Sequence, residues 1–172
     1  MHRVLFRSMA LIAFALLGVV GMAAAQQPRI DRIDVVEFGL YEAKKEEARS
    51  DPGTPSGRTS IISGVAFYEA TTRVPARLGT GFGIRFVPVG APEGAAAPIR
   101  VVWRLPAPGL RNPKSGNTYR ESTSNTDVAI GVPRVRGYSL DEDWEIVTGD
   151  WTIELWNGER KLLSRTFTLY KP

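Results

Sequence analysis

Residues 150–169 read DWTIELWNGERKLLSRTFTL, which is two runs of alternating apolar and polar residues joined by Asn157-Gly158. An Asn-Gly pair between two such runs is a strong signal for a β-hairpin. Because the apolar residues are odd-numbered on both arms, this spacing predicts an odd-length loop, Trp156-Asn157-Gly158, with Gly158 at positive φ. The inward-facing residues are Trp151, Ile153, Leu155, Leu163, Phe167 and Leu169, and Arg165 on the same face predicts an edge or rim of the sheet there.

The same period-two alternation recurs upstream and predicts further strands. Residues 33–41 change apolar parity between Val35 and Val36, which predicts a bulge or burial on both faces. The polar segment 119–132 predicts an edge strand. Residues 61–69 place Ile61, Val65 and Phe67 on one face, and residues 79–89 place Phe82, Ile84 and Phe86 on one face, so both strands are expected to be half buried. In the next strand, Ile99, Val101, Trp103 and Leu105 are expected in the core, with Arg100, Val102 and Arg104 on the outward face.

These patterns predict an all-β protein of seven to nine short strands, since no segment after residue 25 has a helical apolar stripe. We expect residues 26–172 to form a single antiparallel β-sandwich, immunoglobulin-like in the broad sense, with a small closed barrel as the alternative. Residues 44–57 combine charges with Pro52, Gly53, Pro55 and Gly57, a composition that predicts a mobile connection.

The amino-terminal residues have the pattern of an export signal. Arg3 and Arg7 precede an uncharged, largely apolar run that ends in Ala23-Ala24-Ala25, the small residues that a signal peptidase requires. We therefore expect residues 1–25 to be a helical signal peptide and the mature protein to be periplasmic or secreted. The apolar run from Met9 to Met22 is shorter than the roughly 20 residues of a membrane span, which favours a cleaved signal over the alternative of a retained anchor. No span is expected after cleavage.

Composition narrows the chemistry of the mature chain. The chain has no cysteine, and its one histidine, His2, lies in the signal segment. This excludes Ser/His/Asp and Cys/His catalysis, Cys/His metal sites and a lipid anchor on cysteine. Removal of Arg3 and Arg7 leaves 20 cations against 18 acids, so bulk charge identifies no partner. No cofactor, metal or nucleic acid is expected.

One stretch of the sequence is strongly basic. Residues 94–120 contain no acid, and Arg100 and Arg104 share the predicted outward face of one strand. Such a face could contact an envelope protein, an anionic glycan or a lipid head group. The alternative is a solvated face balanced by the acids of residues 141–150. The candidate contact cations are Arg100, Arg104, Arg111, Lys114 and Arg120.

Trp156 is the remaining candidate contact residue. Trp103 and Trp151 lie on apolar faces and are expected in the core, whereas Trp156 lies beside the hairpin tip and is expected to be exposed. Gly79-x-Gly81-x-Gly83 is followed by a predicted strand rather than a helix, so it indicates a tight turn rather than a phosphate-binding loop.

The acids of residues 141–150 permit two further hypotheses. Asp141-Glu142-Asp143, with Glu145 and Asp150, offers oxygen ligands but lacks the spacing of a calcium loop, so a solvated acidic turn is favoured. Two of these carboxylates could also form a glycosidase-like pair.

Three blocks of sequence resemble a known family. Gly79-Thr80-Gly81-Phe82-Gly83, residues 144–151, and Arg160-Lys161-Leu162-Leu163 with Phe167 are similar to an exported bacterial family, domain of unknown function 3859. The resemblance extends from about residue 30 onward and implies a fold and a location, but no site residues.

Together, these observations favour a non-enzymatic exported binding or structural module of the bacterial cell envelope. The alternative hypothesis is a carboxylate-dependent, glycosidase-like hydrolase that uses two of Asp141, Asp143, Glu145 and Asp150.

Overall fold

Strands make up nearly all the regular structure of the chain. The computed structural model describes residues 27–172, so the predicted signal peptide lies outside the described residues. Among these described residues, the one helical element is a short 3-10 helix at Asp143–Glu145. The strands are β1 (Arg29–Ser50), β2 (Arg58–Glu69), β3 (Arg73–Pro75), β4 (Gly81–Ala91), β5 (Ala96–Arg104), β6 (Leu110–Arg111), β7 (Thr118–Tyr119), β8 (Glu121–Ala129), β9 (Arg134–Ser139), β10 (Gly149–Asn157) and β11 (Arg160–Tyr170).

The strands form two main sheets, as the sandwich prediction requires. Sheet A has the order β2-β1-β4-β9, and sheet B has the order β3-β11-β10-β5-β8. A third, two-stranded sheet pairs β6 with β7. All pairings are antiparallel except that of β3 with β11. The all-β, immunoglobulin-like prediction is thus confirmed, and β8 lies at an edge as expected. Residues 27–172 form eleven strands rather than the predicted seven to nine, and the β3–β11 pairing is parallel rather than antiparallel.

Phe82 is the centre of the core between the two sheets. It projects from β4 and contacts three aromatic rings of sheet B with centroid distances of 5.4 Å to Trp103, 5.8 Å to Trp151 and 5.4 Å to Phe167. The Trp151 indole Nε1 donates a 2.9 Å hydrogen bond to the carbonyl of Val147, so its polar atom is satisfied inside the core. The predicted core faces of β4, β5, β10 and β11 are therefore confirmed.

The closing hairpin keeps its apolar residues on one face by a different route from the predicted one. Asn157 pairs with Arg160, so the turn is the two-residue Gly158-Glu159, with φ of 56° at Gly158. The register then shifts by one residue at Leu162, which is left unpaired as a bulge. The predicted odd-length loop is therefore wrong, because the bulge supplies the odd residue that preserves the common face.

The parity change in β1 is also a bulge, as one of the two alternatives predicted. The pairing with β4 skips Val36 between Val35 and Glu37, and Val36 is exposed. Ile33 and Leu40 on either side remain in the core because the extra residue resets the alternation.

Residues 44–57 are not a mobile connection, and that prediction is wrong. Residues 44–50 continue β1 and pair with β2, forming a two-stranded arm (residues 42–69). The turn 51–57 is fastened at its tip, where the Gly53 carbonyl accepts a 2.9 Å hydrogen bond from the Thr123 amide and Asn112 Nδ2 donates one of 2.8 Å to the Pro55 carbonyl. Backbone pairing orders this segment, so it needs little apolar burial.

Because β2 pairs only with β1, it is less buried than predicted. Val65 and Phe67 are half buried as expected, whereas Ile61 is exposed. The sequence of β2 has the alternation of a strand packed on a core. Most of β2 lies in the arm, however, where β1 is its one neighbouring strand in the described chain.

Arg165 faces inward from β11, and its guanidinium carbon lies 4.1 Å from the ring centroid of Phe38. Since β3 pairs only with residues 168–170, β11 is the edge of sheet B at Arg165, as predicted. The cation–π contact with Phe38 compensates in part for burying Arg165 Nε without a hydrogen-bond partner.

Truncation of the central ring tests this account of the core. Phe82→Ala should lower the free energy of unfolding by about 3–5 kcal/mol, because it removes contacts to the three aromatic rings of sheet B and to Tyr138 of β9 and leaves a cavity. Val36→Ala, at the exposed bulge of β1, should change it by less than about 0.5 kcal/mol. Urea denaturation of both variants measures the difference, and equal effects would contradict the central position of Phe82.

Candidate functional site

The predicted contact cations lie on two parts of the molecule. Arg100 and Arg104 project from the outer face of β5, opposite the buried Ile99 and Trp103, as the alternation predicted. The others lie on or beside the small β6–β7 sheet: Arg111 in β6, Lys114 in the turn after it, and Arg120 between β7 and β8. The structure thus separates the basic stretch into a sheet face and a hairpin.

Arg104 is neutralised by acids of its own sheet. It forms an ion pair with Glu121 of β8, and its Nε lies 3.4 Å from an oxygen of Glu154 of β10. The balancing acids are therefore cross-strand neighbours on sheet B, not the acids of residues 141–150. Arg104 therefore belongs to an ion-pair network within sheet B and is less available to pair with an acidic group of a partner than predicted.

Trp156 forms the centre of a cluster with Arg100, Lys161 and Glu154, which we call the Trp156 cluster. The guanidinium carbon of Arg100 lies 5.1 Å from the centroid of the indole, and Lys161 Nζ lies 5.3 Å from it. The indole Nε1 donates a 3.0 Å hydrogen bond to Glu154, and Lys161 Nζ donates one of 2.9 Å to the same carboxylate. Trp156 is half buried, less open than predicted.

Strand register explains why these residues meet. Trp156 pairs with Arg100 of β5 on one side and with Lys161 of β11 on the other. The bulge at Leu162 decides the second pairing, because continuation of the register from Leu155 and Leu163 would bring Leu162 opposite Trp156. Because of the bulge, the residue opposite the indole of Trp156 is the cation Lys161 rather than the apolar Leu162.

Glu154 is an ionised carboxylate beneath the cluster. It is buried, and burial alone would raise its pKa. Hydrogen bonds from Lys161 and Trp156, with the charges of Lys161 and Arg104, outweigh burial and lower the pKa. This acid orients the indole and engages two cations, so it fixes the geometry of the outer face.

Arg100 differs from the other cations of this row. Within residues 27–172, Lys161 and Arg104 both pair with Glu154, whereas Arg100 forms no ion pair. It also lines an open groove beside the hairpin tip, which Asn157 ties to β5 through a 2.8 Å hydrogen bond to the Pro98 carbonyl. The groove is lined by Pro98, Ile99, Arg100, Asn125, Thr126, Asp127, Gly158 and Glu159. Arg100 therefore contacts the indole of Trp156 and also lines a groove that is open to a ligand group.

The acids of residues 141–150 occupy different environments. Glu145 is 3% exposed and accepts hydrogen bonds from the Tyr138 hydroxyl at 2.7 Å and from the amides of Asp141 and Glu142 at 2.9 and 3.0 Å. Asp141 forms an ion pair with Lys45, and Asp150 accepts a 2.7 Å hydrogen bond from the Thr168 hydroxyl. This arrangement gives the hydrolase hypothesis no supporting observation, and it stays a hypothesis. In the described part of the chain, no three carboxylates are arranged to hold a metal ion.

The glycine motif is a turn leading into a strand, as its sequence predicted. Gly79 has φ of 79° and β4 begins at Gly81. Gly83 allows β9 to approach closely, because a Cβ at this position would lie 2.3 Å from the carbonyl oxygen of Arg136. The motif therefore serves packing. Over residues 27–172, the chain forms no helix with the length and apolar character of a membrane span.

Comparison with known proteins identifies the family. Residues 30–169 match the family model described as Domain of unknown function (DUF3859). The chain belongs to this family. The resemblance predicted from the glycine motif and residues 144–151 is thus confirmed for this DUF3859 domain.

A solved structure supports the fold of the DUF3859 domain. The chain is similar to an immunoglobulin-like protein from Pseudomonas aeruginosa of known crystal structure, with 28% sequence identity and a TM-score of 0.57. The match covers 86% of this chain and 99% of the Pseudomonas chain. No curated protein matches the chain. The comparisons therefore establish family and fold.

Two members of the Trp156 cluster were not predicted from the sequence. Glu154 and Lys161 lie in the hairpin used to predict the fold, but their meeting depends on a bulge that the apolar pattern conceals. Because Leu162 and Leu163 are both apolar, either can continue the alternation. The even-numbered positions of β10 were the one available signal, since they place Glu154 and Trp156 on the same outward face.

The buried carboxyl group of Glu145 predicts a pH-dependent stability. Burial raises its pKa by more than the hydrogen bonds from Tyr138 and the two amides lower it. A raised folded pKa contributes stability that is complete below the unfolded pKa of about 4.3 and is lost as pH rises through the folded value. Glu145→Gln lacks this dependence and can still accept both amide hydrogen bonds.

We therefore expect the stability of Glu145→Gln relative to the unsubstituted protein to increase between about pH 4 and about pH 7. Urea denaturation across this range measures the difference. The matched control Glu159→Gln, in the exposed hairpin turn, should show no such trend. A constant difference for Glu145→Gln would contradict the raised pKa.

Proposed function

We propose that this DUF3859 domain is a non-enzymatic, exported binding module of the bacterial cell envelope that recognises a carboxylate or phosphate group of its partner. The contact surface is the outer face of the Trp156 cluster, centred on Arg100. Asp127 and Glu159 line the adjoining groove and would repel an anion inside it, so the anionic group binds at Arg100 rather than deep in the groove. The observation that supports this proposal is Arg100, a cation without an ion-pair partner in the described chain, held against an indole at the mouth of a groove.

The chemistry of Arg100 fits such a group. A guanidinium presents a planar fork of donors that matches two oxygens of a carboxylate or phosphate. The indole of Trp156 supports the guanidinium from one side and leaves its N–H groups available. Since Arg104 and Lys161 already pair with Glu154, the ligand group would meet Arg100 first.

The magnitude of this contact is modest. An exposed ion pair contributes about 0.2–1 kcal/mol, so Arg100 alone does not give a tight complex. Packing of apolar partner surface on Trp156 supplies the remainder, because indole rings contribute strongly at binding surfaces. We therefore expect a salt-sensitive interaction of moderate affinity.

Charge reversal at Arg100 tests the proposed surface. The probes are alginate as an anionic glycan, poly-glutamate as an acidic protein surface, and vesicles containing phosphatidylglycerol. At least one probe should bind, and Arg100→Glu should weaken that binding by about tenfold or more, since like charges oppose each other at the contact. Trp156→Ala should weaken it too, and isothermal calorimetry at two salt concentrations gives the affinities.

Arg58→Glu is the matched control, because it makes the same change in net charge at an exposed position where the arm strand β2 begins. Equal losses for Arg58→Glu and Arg100→Glu would reduce the effect to bulk charge and reject the surface. Binding of none of the three probes would reject it as well. The pattern among the probes shows which source of anionic groups is recognised.

Export is the second part of the proposal and has its own test. The supporting pattern is Arg3 and Arg7 before an apolar run that ends at Ala25. Expression of the full chain in a bacterial host should yield a periplasmic or secreted protein that begins at Gln26, as measured by intact mass after cell fractionation. A cytoplasmic product that retains residues 1–25 would contradict it.

A further inference from the structure

Two strongly exposed apolar side chains lie together at the base of the arm. Tyr68 of β2 is 58% exposed, and Leu78, in the loop before β4, is 53% exposed. Both line one open groove, which we call the arm-base groove. Its lining comprises Tyr41, Glu42, Ala43, Lys45, Ile62, Tyr68, Arg77, Leu78, Gly79, Thr80, Gly81 and Ser139. Exposed apolar side chains grouped in this way mark interaction surfaces.

Opposite charges without partners line the same groove. Glu42 and Arg77 are both exposed, and within residues 27–172 neither forms an ion pair, whereas the neighbouring Lys45 pairs with Asp141. Partial burial raises the pKa of Tyr68, and the charges of Glu42 and Glu69 raise it further. The lining of the groove thus combines an apolar centre with one acid and one base that have no ion-pair partner in the described chain, besides the paired Lys45.

The adjoining edge strand is unusual for this protein. Residues 59–68 of β2 contain no charged side chain. The other sheet edges are charged: β3 carries Arg73, β8 carries Glu121 and Asp127, and β9 carries Arg134 and Arg136. Charges on edge strands oppose association with another chain, so β2 is the edge with the least protection against it.

We propose that the arm-base groove is the interface of a two-fold symmetric homodimer. In it, Glu42 of each copy pairs with Arg77 of the partner subunit, around a centre formed by Tyr68 and Leu78 of both copies. A two-fold interface brings the same patch of both subunits together, so that patch must be self-complementary. An unpaired acid and an unpaired base that line the same patch as the apolar centre meet this requirement, because two equivalent ion pairs between copies neutralise both charges at once.

A different partner fits the patch less well. A purely acidic partner would leave Glu42 opposed by like charge, and a purely basic one would do the same to Arg77. A second copy of the chain satisfies both residues with two equivalent ion pairs. The uncharged edge of β2 adds no repulsion between two copies that approach each other there.

Charge exchange across the interface gives a sharp test. Sedimentation equilibrium of the mature chain from about 1 μM to about 500 μM should show a reversible monomer–dimer equilibrium. Glu42→Arg and Arg77→Glu should each weaken dimerisation by about tenfold or more, because each places like charges together twice in the symmetric interface. The double variant Glu42→Arg/Arg77→Glu should restore it.

The apolar centre is tested separately. Leu78→Asp should also dissociate the dimer, whereas Val132→Asp, at another exposed apolar side chain, is the matched control and should not. Because all of these side chains are exposed, thermal melts recorded at a concentration where the chain is monomeric should be unchanged, which separates dissociation from unfolding. Arg100→Glu should leave dimerisation intact, so that failure of the anion-binding proposal is distinguishable from failure of this one.

A monomer across the whole concentration range would overturn the proposal. A dimer whose affinity Leu78→Asp leaves unchanged would also overturn it. The same holds if the double variant Glu42→Arg/Arg77→Glu dimerises as weakly as the single variants.

Discussion

The structure depends on the packing of Phe82 against Trp103, Trp151 and Phe167 across the two sheets. The chain has no cysteine, so no disulfide holds the two sheets together. Burial of these large rings must supply that stabilisation, and the T-shaped arrangement of Phe82 with Trp103 and Trp151 adds a favourable electrostatic contribution. The alternation on β4, β5, β10 and β11 ensures that all four rings reach the same interior.

The bulge at Leu162 connects this core to the outer surface. On the inner side, it lets Leu155 face Leu163 and Trp151 face Phe167 although the turn has only two residues. On the outer side, the same extra residue brings Lys161 beside Trp156, where it shares Glu154 with the indole. One irregular residue thus satisfies the packing of the core and the composition of the candidate site together.

The sequence predicted those parts of the fold in which apolar residues are buried on one face. The core faces of the last hairpin follow from parity alone, since burial forces the alternation. The parity change near Val36 left a bulge and burial on both faces as alternatives, and the strand pairing decides for the bulge. The arm could not be predicted in the same way, because its pairing satisfies backbone groups and leaves few apolar residues as a signal. Of the Trp156 cluster, Arg100 and Trp156 were predicted from charge and position, whereas Glu154 and Lys161 depend on register.

A hydrogen bond at the arm tip connects the two sheets of the domain. The amide of Thr123, on the edge strand β8 of sheet B, donates a hydrogen bond to the carbonyl of Gly53. The turn of the β1–β2 hairpin of sheet A therefore satisfies a backbone group at an edge of sheet B. A side chain at position 53 has no room, since its Cβ would lie 2.0 Å from the Thr123 carbonyl oxygen. The arm is in this sense a clasp between the two layers, and its closure joins segments about seventy residues apart, a non-local contact of the kind that forms late in folding.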